Sequence, residues 1–324
     1  MSGGGSAQSA QNGPVRGVLL MTFGTAETLE DVPAYLASVR GGRPAPDELV
    51  AEFQRRFTRV GGSPLIRITR EQARALETRL NAESECPTYR VAVGMRHAPP
   101  FIDAALQELA AAGARQIVGV ILSPQYSPII LGGYLRAVDA ARAGLPAGTE
   151  VRVAGAWHEE PAFLDALALR LQEALAALPD SERPHAPIVF TAHSLPRSVA
   201  AGEPEYLTQL RDTAGAVARR VGIAPDRWQF AYQSAGHTPE PWLTPDVKDL
   251  FPELQAAGHH TTVVAPVQFL ADHLEVLYDL DVAAREQAAA HGVELVRPPS
   301  LNLLPRFIDA LASVVRREAT SFTG

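Results

Sequence analysis

The sequence predicts an α/β protein built from two four-stranded parallel sheets. Its 324 residues exceed one ordinary domain of about 100 to 200 residues, so two domains are expected. Short apolar runs rich in β-branched residues alternate with longer amphipathic stretches, which is typical of βαβ units whose sheet is covered on both faces. Hydrophobic residues make up 46% of the chain, enough for a packed core.

Eight runs are predicted to be strands, and eight strands fit two sheets of four. In chain order they are residues 17–23, 90–94, 116–122, 150–154, 188–192, 229–233, 261–269 and 294–296. The helices predicted between and after them include residues 70–81, 100–112, 162–178, 208–221, 283–292 and 304–317.

The domain limits follow from composition. Residues 1–14 are Gly, Ser, Ala, Gln and Asn with little else, and we expect a disordered tail. A polar segment bounded by prolines, 179–184, follows a long Ala/Leu helix and predicts a boundary there. The expected domains are therefore 15–180 and 181–302, with a C-terminal helix in 303–324.

Composition also excludes several classes of protein. Cys86 is the only cysteine, so neither an intramolecular disulfide, a zinc finger nor an iron–sulfur cluster is expected, and a reducing, cytoplasmic location fits. We find no apolar run near the ~20 residues of a transmembrane segment and no signal peptide. A net charge of −7 argues against a nucleic-acid partner.

Several polar residues follow predicted strands, where open α/β sheets bind their ligands. His193 closes the apolar run 188–192, and its pKa can be tuned there for a base or a metal ligand. The alternative is a histidine bonded to a local backbone carbonyl. Ser194 and Ser234 lack the Gly-x-Ser-x-Gly frame of a serine hydrolase, which excludes that class.

Asp272, Glu275 and Asp279 are spaced three and four residues apart, so a helix would place them on one face. Like charges at this spacing repel unless a cation or a proton lies between them. These three carboxylates form either a solvent-exposed face or a route along which cations move. The adjoining apolar run 263–270 favours the second alternative.

Together these residues resemble ferrochelatase, the enzyme that inserts ferrous iron into a porphyrin. The resemblance rests on the ordered set His193-Ser194-Leu195-Pro196, Gln233-Ser234 followed by Pro241-Trp242-Leu243, and residues 272–279, with 61–65 and 124–127 before them. It implies two Rossmann-like, chelatase-type domains with the active-site cleft between them. It also implies that the C-terminal helix packs back on the first domain.

The resemblance implies the roles of individual residues. His193 and Glu275 are expected to be the paired catalytic and metal-binding residues. A secondary path for metal or protons is expected at His97 and Asp279. The expected porphyrin contacts are Phe23, Arg40, Arg56, Ser63 and Tyr134; arginine suits propionate carboxylates because it can bind them bidentately.

Three departures from the family pattern matter. Members that act on coproporphyrin usually have tyrosine at the position of Phe23, and a phenyl ring cannot ligate iron. In relatives the series of acidic residues continues to the position of Ala283, so we expect an outer metal site to bind metal more weakly here. The cysteines that hold a 2Fe–2S cluster in some relatives are missing.

The expected function is therefore iron insertion in haem biosynthesis, with coproporphyrin III favoured over protoporphyrin IX. Fe²⁺ and a porphyrin are the expected substrates, without a permanently bound cofactor. Transient contact with neighbouring haem-pathway enzymes is expected. The alternatives are a cobalt or nickel chelatase for another tetrapyrrole, and a porphyrin or haem carrier that inserts no metal.

Overall fold

The computed structural model describes residues 14–82, 87–236 and 239–322. It contains two four-stranded sheets in which all paired strands are parallel, with orders β2-β1-β3-β4 and β6-β5-β7-β8. This confirms the predicted fold class. The predicted tail, apart from Pro14, lies outside the described residues, as does Cys86. The strands are β1 Val15–Thr22, β2 Thr88–Met95, β3 Gln116–Ile121, β4 Glu150–Val153, β5 Ile188–His193, β6 Trp228–Gln233, β7 Thr261–Pro266 and β8 Glu294–Val296.

Helices cover both faces of each sheet, which explains why the central strands are apolar throughout. The α-helices are α1 Val32–Val39, α2 Asp47–Val60, α3 Leu65–Asn81, α4 Ile102–Ala111, α5 Pro128–Arg142, α6 Pro161–Ala176, α7 Arg197–Ala200, α8 Pro204–Val221, α9 Phe251–Ala256, α10 Arg285–Ala290 and α11 Pro305–Ala319. Short 3₁₀ helices span Pro225–Arg227, Val247–Leu250 and Thr320–Phe322, and a π-helix spans Val276–Ala284.

Two helices join the sheets into one body. The C-terminal helix α11 packs on helix α3, on strand β3 of the first sheet and on helix α6. Helix α6 in turn packs on helix α8 and on strand β7 of the second sheet. Trp157 links them, with its ring 5.2 Å from Phe163 and 6.5 Å from Phe307. One contiguous core consequently includes residues from both sheets. The domain limits at residues 180 and 302 stay a prediction.

The segment after β7 differs most from the sequence-based expectation. The strand ends at Pro266 rather than at residue 269, and the helix predicted over 283–292 begins as a π-helix at Val276. A π-helix bonds i to i+5, so its repeat differs from the 3.6-residue period that reveals an α-helix in a sequence. The prediction that Asp272 shares a face with Glu275 is wrong, because Asp272 precedes the helix and Arg297 holds its carboxylate.

Candidate active site

A cleft of about 1220 Å³ lies between the two sheets, beyond the carboxyl ends of central strands. Phe23 and Tyr134 line it from the first sheet's side, and His193, Phe269 and Glu275 line it from the second. Among the residues that the structure describes, no Arg or Lys contributes to this lining. The cleft therefore suits the faces of a flat apolar ring system better than its charged substituents.

A second cavity of about 960 Å³, here called the polar chamber, adjoins this cleft. The two spaces have Phe53, His193, Leu274 and Glu275 in common. His193 and Glu275 therefore lie on the wall between an apolar space and a polar one. The charged side chains that line the chamber, besides Glu275, are Arg56, Asp246, Lys248 and Asp279.

The His193 ring has a defined orientation. Its backbone N–H donates to Gln268 Oε1 at 3.0 Å, and its Nδ1 lies 2.5 Å from the Ser194 carbonyl oxygen. Because a carbonyl oxygen can only accept a hydrogen bond, Nδ1 must carry the hydrogen. The neutral ring then presents an unprotonated Nε2, which can bind a metal ion or take up a proton. The hydrogen bond to a local carbonyl was considered above as an alternative to a functional role. Here it instead orients the His193 ring for such a role.

Glu275 faces two imidazoles. Its Oε2 lies 3.7 Å from His193 Nε2 and 3.8 Å from His273 Nε2. His273 Nδ1 is bonded to the Ala271 carbonyl at 3.0 Å, so Nδ1 carries a hydrogen and Nε2 faces the carboxylate. If both Nε2 atoms lack a hydrogen, they and the carboxylate are all acceptors and repel one another, so the arrangement favours a proton between Glu275 and one of the two rings.

His273 was missed by the sequence analysis. It lies two residues before Glu275 in the segment that carries the family resemblance, but helix-face spacing gave it no significance. Phe269 contacts both imidazoles edge-on, at 6.4 Å from the His193 ring and 4.7 Å from the His273 ring. The phenyl ring thereby limits the movement of both.

The two predicted carboxylates have opposite pKa shifts. Burial opposes ionisation of Glu275, but the contact with His273 Nε2 at 3.8 Å and the positive charge that His193 carries when protonated outweigh it and lower the pKa from 4.5 to about 2. Burial, reinforced by the negative charge of Glu275, raises the pKa of Asp279 above its usual value. Glu275 therefore stays ionised while Asp279, farther into the polar chamber, accepts a proton more readily.

Of the residues predicted on the first sheet's side, Phe23 and Tyr134 line the cleft. The Phe23 side chain packs against His97, with ring centroids 4.4 Å apart and the ring planes tilted by 55°. His97 lines neither cavity; its Nδ1 is 3.0 Å from Ser38 Oγ. Burial and the neighbouring Arg96 charge lower the pKa of His97 to about 4, so its ring is neutral near pH 7.

Arg56 belongs to the polar chamber rather than to the cleft. Its Nε pairs with Glu52 Oε1 at 2.7 Å and its Nη1 with Asp279 Oδ1 at 3.5 Å, and the guanidinium lies 4.8 Å from the Tyr278 ring centroid. These contacts place its positive charge next to Asp279. Binding of a propionate by Arg56 stays a prediction.

Arg40 and Ser63 line neither space. Ser63 Oγ accepts a hydrogen bond from the Leu274 backbone N–H at 3.3 Å, so it supports the segment next to Glu275 from the first sheet's side. Arg40 ends α1, and its buried Nε has no acceptor within the described part of the chain. Their roles as porphyrin contacts stay predictions.

Within residues 14–82, 87–236 and 239–322, no group of three or more His, Cys, Asp and Glu side chains is arranged to hold a metal ion. In the same ranges no helix has both the length and the apolar character needed to cross a membrane.

Comparison with known proteins identifies the family. The family model described as ferrochelatase matches residues 15–319. The chain belongs to the ferrochelatase family. Ferrochelatase activity, the insertion of ferrous iron into a porphyrin in haem biosynthesis, was the main prediction from the sequence and is confirmed, as is the prediction of a metal-chelating lyase.

Several bacterial ferrochelatases are similar over nearly their whole length. The coproporphyrin III ferrochelatase of Geobacillus kaustophilus (strain HTA426) is 41% identical over 92% of this chain and 94% of its own. That of Bacillus subtilis (strain 168) is 35% identical, over 93% of this chain and 97% of its own. The ferrochelatase of Deinococcus radiodurans is 37% identical, over 94% of this chain and 96% of its own.

Solved chelatase structures share the fold. SirB from Bacillus subtilis with Fe³⁺ has a TM-score of 0.56 at 13% identity, covering 93% of this chain and 94% of that one. The sirohydrochlorin chelatase SirB from subspecies spizizenii, in complex with cobalt, has a TM-score of 0.55 at 12% identity, with 93% and 94% coverage. At these identities the likeness concerns the fold alone, and it agrees with the chelatase-type architecture predicted for ferrochelatase.

Proposed function

We propose that this ferrochelatase inserts Fe²⁺ into coproporphyrin III, with His193 and Glu275 as its catalytic pair. The observation that carries the proposal is the position of this pair on the wall between the apolar cleft and the polar chamber. A porphyrin in the cleft would present its ring nitrogens to this wall, while the chamber gives water and ions access from the other side. Proteins 34–41% identical to this chain that are named coproporphyrin III ferrochelatase support the choice of porphyrin.

The chemistry must remove both pyrrole protons as the metal enters the ring. The unprotonated Nε2 of His193 can accept one of these protons or bind Fe²⁺, which is a borderline metal well matched to imidazole. Ionised Glu275 neutralises charge on the incoming ion, and Asp279, with its raised pKa, can receive a proton on the way to solvent. Phe23 and Tyr134 contact the macrocycle from the opposite side.

The remaining expectations belong to the same proposal. We propose that no cofactor is permanently bound and that no iron–sulfur cluster is present. A role for His97 in metal or proton transfer has weaker support, because its ring lies behind Phe23. The cytoplasmic location and transient contacts with other haem-pathway enzymes stay predictions.

The test is anaerobic Fe²⁺ insertion into coproporphyrin III and protoporphyrin IX side by side, followed by the loss of free-base absorption. We expect faster turnover of coproporphyrin III and loss of turnover in His193→Ala. His291→Ala is the matched control, because His291 is a surface histidine that should leave the rate unchanged. Preference for protoporphyrin IX would overturn the choice of substrate, and porphyrin binding without turnover would favour the carrier alternative.

A further inference from the structure

Arg297 connects the two ends of the segment that contains Glu275. Its guanidinium donates from Nε and Nη2 to both carboxylate oxygens of Asp281, at 2.8 and 2.6 Å, and from Nη1 to Asp272 Oδ1 at 3.0 Å. The side chain is only 7% exposed and lines neither the cleft nor the polar chamber. Arg297 therefore cannot touch a substrate in either space and can act only through the residues that it holds.

The same network reaches the first sheet's helices. Asn302 donates from Nδ2 to Asp272 Oδ2 at 2.7 Å and accepts the Asp272 backbone N–H at 2.9 Å. Its own carbonyl accepts a hydrogen bond from Gln72 in α3 at 2.8 Å. Asn302 adopts φ 45°, in the left-handed region that asparagine tolerates better than most residues. The start of the segment is thus fixed from two directions.

The positions of Asp272 and Asp281 in the chain explain how their bonds to Arg297 affect Glu275. Asp272 lies three residues before Glu275, and Asp281 lies in the π-helix whose first turn Glu275 begins. One planar guanidinium bonded to both sets their distance and direction together, which a lysine point charge cannot do. The segment from residue 272 to 281 is consequently held near both ends by one side chain, and Glu275 lies within this segment with its carboxylate 3.7 Å from His193 Nε2.

We propose that Arg297 is a positioning residue for metal insertion: by bonding Asp272 and Asp281 together it fixes the direction in which the Glu275 carboxylate faces His193. This inference rests on the role proposed for Glu275 above. Residues that orient metal-binding groups from behind typically change activity by about 10- to 100-fold when they are removed. The loss should appear in kcat, because Arg297 contacts neither cavity.

The experiment compares Arg297→Met and Arg297→Lys with Arg285→Met. Arg285 is the matched control, since it reaches the same Asp281 at 3.7 Å from a half-exposed position. We expect Arg297→Met to lower kcat by about 10- to 100-fold and Arg297→Lys to lower it less. The porphyrin dissociation constant, measured by fluorescence quenching, and the activity of Arg285→Met should stay unchanged.

A double-mutant cycle with Glu275→Gln separates positioning from a general structural role. If Arg297 acts through Glu275, adding Arg297→Met to Glu275→Gln should cause no further loss of kcat. Equal losses in both backgrounds, or wild-type kcat in a folded Arg297→Met protein, would overturn the inference. Full activity of Glu275→Gln alone would instead overturn the role proposed for Glu275.

If Arg297→Met does not fold, Asp281→Asn replaces it in the cycle. That variant keeps the bond from Arg297 to Asp272 and removes only the negative charge at the other end. We expect a smaller loss of kcat with the same non-additivity, and additive losses would again overturn the inference.

Discussion

Replacing His273 with alanine should raise the pKa of the Glu275 carboxyl. In the intact site burial favours the protonated acid, and the contact with the His273 ring, whose Nε2 lies 3.8 Å from Glu275 Oε2, is the largest of the effects that hold the pKa down at about 2. Even a hydrogen bond to a charged group contributes only about 1.5–3 kcal/mol, and one pKa unit corresponds to about 1.4 kcal/mol, so the loss of this longer contact cannot raise the pKa by more than about 2 units. Because 44% of the Glu275 side chain faces the open cleft, water screens this interaction and we expect a rise of about 1 unit, to about 3.

The sign of the stability change follows from the direction of the shift. A carboxylate whose pKa is lowered on folding stabilises the protein above its unfolded pKa, and this contribution is lost as the pH falls through the folded pKa. The loss should thus extend from about pH 4.5 down to about pH 2 in the wild type and only to about pH 3 in His273→Ala, so it should be smaller in the variant.

Carbon-13 NMR of protein labelled at the glutamate side-chain carboxyl measures this pKa directly. The Glu275 signal is assigned by its disappearance in Glu275→Gln, and His291→Ala serves as the control for removal of a histidine elsewhere. Identical titration of Glu275 in the wild type and in His273→Ala would refute the reasoning, because it would mean that the 3.8 Å contact has no effect on ionisation.

Three further predictions concern the cleft wall and the core. Phe23→Tyr adds a phenol to the cleft, so its oxidised product complex should gain a charge-transfer absorption band that the wild type lacks; identical spectra would show that the hydroxyl does not reach the iron. Gly133→Ala would place Cβ against the Arg96 guanidinium, which lies over the Tyr134 ring, and should lower the free energy of unfolding in urea by about 1–3 kcal/mol. Gly132→Ala, whose Cβ would meet only Arg136 Nη1 at 3.2 Å, should instead raise it by up to about 1 kcal/mol, because alanine favours a helix over glycine. Leu311→Ala removes a fully buried side chain of α11 and should cost about 2–5 kcal/mol in the same assay; a loss below about 1 kcal/mol would contradict the packing of this helix.

The sheets could be predicted because their central strands are apolar over most of their length. All eight predicted strands are present, since central strands covered on both faces have a sequence pattern that local reasoning detects. Strand order depends on pairing between distant residues and was not predicted. The helices named from the sequence did not include α1, α2 or α5; in α5 the Gly132-Gly133 pair weakens the helical signal, although Arg96 packs where a Gly133 side chain would lie.

The candidate site was predictable where it depends on the ends of strands and on a familiar motif. His193 and Glu275 were both named, and the structure places them 3.7 Å apart. The direction of the His273 ring, the pairing of Arg56 with Glu52 and Asp279, and the Arg297 network could not be predicted. Each depends on contacts between residues that only the folded chain brings together, and Asp272 was misplaced because its partner Arg297 lies 25 residues away.

The packing of α6 and α11 has a consequence for how the protein is made. The ribosome synthesises the first sheet early, but the helix that covers α3 and β3 is among the last residues of the chain. Domains usually fold from the N-terminus as they emerge, at about 5–20 residues per second. Here an apolar face of the first sheet stays uncovered until α11 has been synthesised, so the nascent chain exposes that face throughout the synthesis of the second sheet.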